Sequence, residues 1–279
     1  MDKAGATRPI AWQPLTPGGV GAFARATYGR ILIIQAIFGL IGGASVGWVL
    51  DRTWFPVIDK AIAAAPAGSQ VQWGRLRWTG DLPRQLAENR FVGVGVDLKH
   101  EGLARGPSDI QIELGETSVK VISWLGFVES SYPTGWRVGL SREEAMPWWR
   151  ARAPWLLALS IMGSAALLII SWHMLGTAYF FPGWLLGFFL NRELSLGGSW
   201  RVSMAALMPG GAFFAGAIVL YGLGVVDVPR LGVLCGVHIV IGWVYLVAAV
   251  WKTPRQAATV VEKGNPFSGT ANTKDRRTS

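Results

Sequence analysis

Ile31–Leu50, Met204–Gly224 and Leu231–Trp251 each run for about 20 residues without an Asp, Glu, Lys or Arg, and Pro154–Leu190 for nearly twice that. A helix rises 1.5 Å per residue and needs about 20 apolar residues to cross about 30 Å of hydrocarbon. Backbone inside lipid must satisfy its own hydrogen bonds, so stretches of this length and character are expected as transmembrane helices. Composition agrees. Only 15% of residues are charged, where soluble domains carry about 25%, and the mean hydropathy is +0.34. The 15 tryptophans and 36 glycines fit the same class, because Trp favours headgroup depth and Gly is common in membrane helices.

The first apolar run follows a basic leader, is too long for a signal-peptide core and lacks a small-residue cleavage site, so it reads as an uncleaved anchor. Gly39, Gly43 and Gly47 recur every four residues within it. That spacing puts them on one helical face, where another helix can approach closely.

Pro154–Leu190 is too long for one span and short for two. A span from Trp155 to about His173 is expected. The rest, residues 176–190, reads as a short span, a re-entrant segment or an interfacial helix. Charge favours four crossings over five. The net charge is +9. It concentrates in the leader, residues 1–30 (+3), and the tail, residues 252–279 (+4), and Arg192 and Arg201 lie in the loop between the last apolar regions. With four crossings all of these face the cytoplasm, as the positive-inside rule requires. The expected fold is therefore a membrane all-α bundle of four spans, or five, with a small inserted α+β or mostly β extracytoplasmic domain. Its parts are a cytoplasmic leader (1–30), a first helix (31–50), the outer domain (51–153), a C-terminal bundle (154–251) and a basic tail (252–279), disordered over Gly264–Ser279.

The outer segment carries 13 basic and 12 acidic residues, an ordinary mixed surface. Phe55–Ala65 reads as a short helix. Strand character follows over Val71–Trp78, Phe91–Leu98, Ile110–Leu114, Thr117–Ile122 and Trp136–Leu140, with alternation clearest at Val92, Val94, Val96 and Leu98. Gly115-Glu116 suits a two-residue hairpin turn with Gly first. Ser141 and Glu144 form a capping-box pattern, opening a helix that Pro147 and Pro154 are expected to interrupt.

Motifs that carry chemistry are few. His173 and His238 are the one pair that could ligate a haem b iron, a remote reading, since in a four-span chain they sit at different depths. Cys235 and His238 share a helical face and are the intramembrane groups with functional potential, but two ligands make no zinc site. Pro182-Gly183 and Pro209-Gly210 are candidate helix breaks of the kind that line transporter sites. Outside the membrane, Asp97 and Glu101 flank His100 in a weak acid–base or metal cluster that reads better as a solvated loop. Ser141 and His100 lack any spacing that would join them as catalytic groups. No catalytic residue, metal site or nucleic-acid stripe is assigned.

The order of parts resembles an uncharacterised bacterial family of membrane proteins with a Yip-type C-terminal helical bundle. The resemblance is carried by Gln72-Trp73-Gly74-Arg75-Leu76, the strand ending Val96-Asp97, Glu113-Leu114-Gly115-Glu116, and Ser195-Leu196-Gly197-Gly198-Ser199-Trp200-Arg201 leading into Ala205-Ala206-Leu207-Met208-Pro209. It spans Tyr28 to Trp251 and implies a multi-pass protein of the bacterial cytoplasmic (inner) membrane. The expected function is a non-enzymatic scaffold or accessory subunit. Its partners would be membrane lipid and other membrane proteins or further copies of itself. The alternative is a transporter or channel.

Overall fold

The structure, a computed structural model, describes residues 12–256. The expected disorder of Gly264–Ser279 falls outside that range. Helix α1 (Pro17–Ala22) is capped by the Thr16 hydroxyl, which accepts from the Gly19 N–H at 3.1 Å. Helix α2 (Tyr28–Val49) passes through one widened turn, Leu50–Trp54, into α3 (Phe55–Ala64). Pro56 has no N–H to give the turn below it, and the widened turn, where the Phe55 N–H reaches back to Leu50 O, lets the helix continue.

Eight short strands follow: β1 (Gln70–Gln72), β2 (Arg75–Arg77), β3 (Arg84–Glu88), β4 (Val92–Val96), β5 (Ile110–Leu114), β6 (Ser118–Ser123), β7 (Gly126–Ser131) and β8 (Arg137–Gly139). They form a small sheet, β2-β1-β8, and a larger one, β3-β4-β5-β6-β7, antiparallel except for the parallel pair β4–β5. Helix α3 covers Val92 and Val94 through Val57 and Ala61, while the small sheet covers Val96 through Val71 and Leu76. The intervening Gly95 has no room for a side chain, since a Cβ there would lie 2.9 Å from the Ala104 carbonyl.

Helices α4 (Arg142–Phe189), α5 (Leu196–Gly222) and α6 (Val228–Lys252) complete the chain. Among the described residues, four helical stretches are long and apolar enough to cross a membrane: Tyr28–Ala64, Arg142–Phe189, Leu196–Gly222 and Val228–Lys252. Helix α5 is central, with every residue from Val202 to Gly211 buried. Helix α4 packs its first half on α2 and its second half on α5.

Several sequence expectations need correction. Residues 176–190 form no separate element, because α4 runs unbroken to Phe189, a rod of about 72 Å. Pro147 and Pro154 do not interrupt it. Pro182-Gly183 and Pro209-Gly210 likewise break neither α4 nor α5. Near Pro182 the Ser199 hydroxyl donates to Phe180 O at 2.7 Å and ties α5 to α4. The run Val71–Trp78 is two strands joined at Trp73-Gly74, both with φ near +60–70° (56° and 73°), the signature of a type I′ turn. The β5–β6 turn centres one residue later than expected, on Glu116-Thr117, with the Gly115 N–H donating to Ser118 O. Ser141 starts α4 but makes no side-chain cap, and Glu144 turns instead to Arg137 at 3.6 Å.

Candidate functional site

The three glycines of α2 lie against α4. A Cβ on Gly43 would stand 2.2 Å from Ile161 O, one on Gly39 would stand 3.2 Å from Ala165 O, and one on Gly47 would meet Ile161 Cγ1 at 2.5 Å. Gly42, absent from the predicted stripe, meets Leu168 at 2.5 Å. The close backbone approach that the spacing allows is thus used between two helices of the same chain.

At the end of the bundle where α2 and α5 begin, the basic residues converge. The Arg25 guanidinium donates to Glu193 at 2.6 Å, Arg201 donates to Ala24 O at 2.7 Å, and Arg192 donates to Thr253 O at 2.9 Å. The leader is folded onto this end, with Val20 and Phe23 fully buried and the Tyr245 hydroxyl donating to Leu15 O at 2.9 Å. A cleft of about 440 Å³ lies here between Arg25, Glu193, Ser195 and Gln256. Its two charged walls neutralise one another.

His173 sits just above. Its Nδ1–H donates to Ile169 O at 2.8 Å, and its Nε2 accepts from the Tyr28 hydroxyl at 2.9 Å, beside the Trp200 ring. His238 instead bonds Cys235 O through Nδ1 and stacks on Phe214 at 5.5 Å. Trp200 and Phe214 are fourteen positions apart on α5, about 21 Å along its axis. One iron cannot bridge imidazoles at such different levels. The Cys235 thiol joins no ligand set, and no cluster of three or more metal-ligating side chains occurs among the described residues.

Gln35 is fully buried in α2, and neither its amide nitrogen nor its oxygen has a hydrogen-bond partner among the described residues. The hydroxyl of Ser203 and the indole N–H of Trp172, both in the bundle core, are in the same condition. Nothing in the hydropathy pattern marks Gln35 out beyond its being the one strongly polar residue of its span.

The densest set of titratable groups lies in the sheet domain. His100 Nδ1 meets Glu113 Oε1 at 2.6 Å and its Nε2 meets the Ser118 hydroxyl at 3.0 Å. That hydroxyl donates to Glu129 at 2.7 Å. Arg105 reaches the other Glu113 oxygen at 2.9 Å, and Lys120 lies 3.3 Å from Glu129. The ring packs on Gly115, where a Cβ would stand 2.1 Å from Nε2. The Ser118 hydroxyl and, against an opposing effect of burial, Lys120 hold the Glu129 carboxyl below the usual range. The Asp97 carboxylate, beside His100 in sequence, bonds backbone N–H groups of its own loop. Burial would raise the Asp97 carboxyl, but backbone N–H groups of Leu103, Gly102, Glu101 and Lys99 outweigh it and hold that carboxyl low. Asp97 therefore fixes its own loop. Sequence spacing could not join His100 to Glu113 and Ser118, because they lie on a loop and two different strands.

An acid, an imidazole and a hydroxyl in line evoke nucleophilic catalysis, yet this arrangement is closed. Glu113 is only 2% exposed and Ser118 is buried. A second carboxylate holds the serine proton, so the hydroxyl is not free to be activated by His100. The network neutralises itself and ties the 97–106 loop to β5, β6 and β7.

These features define a helical bundle with a sheet domain docked on one end. No protein-family profile, characterised protein or solved structure matches the chain, so the resemblance in layout gains no support from them.

Proposed function

We propose that the protein is a non-enzymatic integral membrane scaffold or accessory subunit of the bacterial cytoplasmic membrane, holding its sheet domain at a fixed height on the outer face. One observation carries this reading. The outer domain is joined to the bundle by rigid connections rather than linkers. Helix α2 continues into α3 beneath the larger sheet, and α4 runs from the domain into the bundle without a break. The Trp149 indole donates to Asp59 at 2.7 Å and so ties the two extensions together. Arg90 donates to Gly224 O and to Val226 O at 3.0 Å, fastening the sheet to the α5–α6 loop. Such a body displays a surface in constant register with the membrane.

The displayed surface is the small sheet, which covers the far ends of β4 and β5. Trp73 (70% exposed) and Trp136 (65%) are neighbours there, flanking the Gln72–Arg137 pair. Exposed paired tryptophans of this kind are typical anchors for a protein partner. A photocrosslinking residue at Trp136 in intact membranes is expected to give a discrete protein adduct. Absence of any adduct there, at Trp73 and at Arg75 would contradict the reading.

A transporter or channel is the second reading, and the unpaired amide of Gln35 inside the bundle is the observation that favours it. It would not use broken helices at Pro182 and Pro209. Solute flux in reconstituted vesicles that disappears in Gln35→Leu would establish it.

A further inference from the structure

The β6–β7 hairpin is the least covered part of the sheet domain. All six residues of β7 are exposed. Around its tip Trp124, Leu125 (79% exposed) and Phe127 are exposed apolar side chains, with the Lys120 ammonium 4.9 Å above the Phe127 ring, and Val128 is exposed on the other face of the strand. The turn is well formed: Gly126 adopts φ +123°, and the Leu125 N–H donates to the Ser123 hydroxyl at 3.3 Å. A tip of this kind on a soluble face would be an aggregation hazard, so it needs a cover.

Register says where the tip lies. Ser123 pairs with Ile110, and Asp109, the residue before it, accepts from the Tyr221 hydroxyl at 3.0 Å. Tyr221 is at the top of α5, in contact with Phe91 at the start of β4. Adjacent strands are about 4.8 Å apart. The tip is thus one strand spacing to the side of the point where the sheet meets the helix ends. At that same level the exposed Leu223 and Val225 crown the α5–α6 loop, and Arg52 packs on Trp48. The opposite end of the sheet is about 17 Å further away, five residues along β5.

We propose that the β6–β7 hairpin is a membrane-anchoring finger, with Trp124, Leu125 and Phe127 seated at the headgroup–acyl boundary of the leaflet next to the sheet domain. The inference rests on the reading of the four long helices as membrane spans. Tryptophan and its apolar neighbours match that boundary, because an indole presents an apolar body with one polar N–H. Lipid is favoured over a protein because the tip continues the level at which the apolar helix surfaces end.

The test uses the full chain with Cys235→Ser, carrying one nitroxide-labelled cysteine at a time, in nanodiscs of purified phospholipid. The positions are Leu125→Cys, Trp124→Cys, Leu103→Cys on the far side of the sheet and Leu167→Cys on the uncovered face of α4. Collision with oxygen reports lipid, and collision with a nickel chelate reports water. Labels at positions 125 and 124 are expected to be several-fold less accessible to nickel than the label at 103. If both match 103 while 167 is lipid-buried, the finger is overturned and the membrane reading stands. If 167 also collides freely with nickel, the membrane reading itself fails. If 125 is shielded in native vesicles but not in nanodiscs, a protein covers the hairpin and the lipid proposal is overturned.

Discussion

The Tyr221 hydroxyl donates to Asp109 at 3.0 Å, joining the top of the central helix α5 to the residue that opens β5. With Arg90 on the Gly224 and Val226 carbonyls, it makes the sheet domain and the bundle one body. A hydrogen bond to a charged acceptor contributes about 1.5–3 kcal/mol. Tyr221→Phe and Asp109→Ala are each expected to lose about that much, and the double variant no more than either alone. A double-mutant cycle on unfolding, with amide exchange following β4, measures it. Additive losses would mean the bond does not couple the two parts.

Gly43 has Ile161 O where a side chain would begin, whereas Gly163 on α4 has open space around it. Gly43→Ile is therefore expected to separate α2 from α4 and to destabilise the protein by at least about 1–3 kcal/mol. Gly163→Ala should stay within about 1 kcal/mol of the parent. Thermal stability in one detergent compares them directly.

Glu113 is buried between His100 and Arg105. Removing its carboxylate leaves the Arg105 guanidinium and the His100 Nδ1 without their shared partner, at a cost of about 1–3 kcal/mol. Glu113→Ala should loosen the 97–106 loop and β5, as read by amide exchange, while leaving helix content unchanged. If the site were catalytic instead, activity would be lost in Ser118→Ala with the fold intact.

Asp97 gives a pH dependence of known sign. Its folded carboxyl titrates below the ordinary carboxylate range. Its contribution is fully present above the unfolded value of about 3.9 and is lost as pH falls through the lower folded value. Asp97→Asn is expected to be less stable than the parent by about 1–3 kcal/mol at neutral pH, and the gap should narrow below about pH 4. A gap that widened on acidification would have the wrong sign.

Gln35 has a fully buried and unpaired amide. An apolar replacement removes a desolvation cost and no hydrogen bond, so Gln35→Leu is expected to be neutral or stabilising by about 1–2 kcal/mol. A strong loss of stability would mean that the amide has a partner in the membrane.

Hydropathy made the bundle legible, because lipid imposes a length rule that residues such as Ile31–Leu50 cannot disguise. It could not tell one long α4 from two short elements, since the helix continues through Pro147, Pro154 and Pro182, all three of which lie on its exposed face. In the sheet domain β5 was readable to the residue, through the alternation of Ile110, Ile112 and Leu114. Strand β3, Arg-Gln-Leu-Ala-Glu, has few β-formers and is a strand because β4 pairs with it. Strand β7 is an exposed edge and shows no inward face. The Trp73-Gly74 turn was hidden because only one of its two left-handed residues is a glycine. The polar network on His100 escaped because its members come from three separate elements, and the functional weight of the β6–β7 tip depends on register, which composition does not give.

The central claim is that four helices cross one bilayer, with both chain ends on one face and the sheet domain on the other. A pair of topology reporters tests it most directly, one inserted in the β5–β6 turn at Glu116 and one fused after Arg277. The account expects the first to be active only outside the cytoplasm and the second only within it. Activity of both on the same side of the membrane would contradict it.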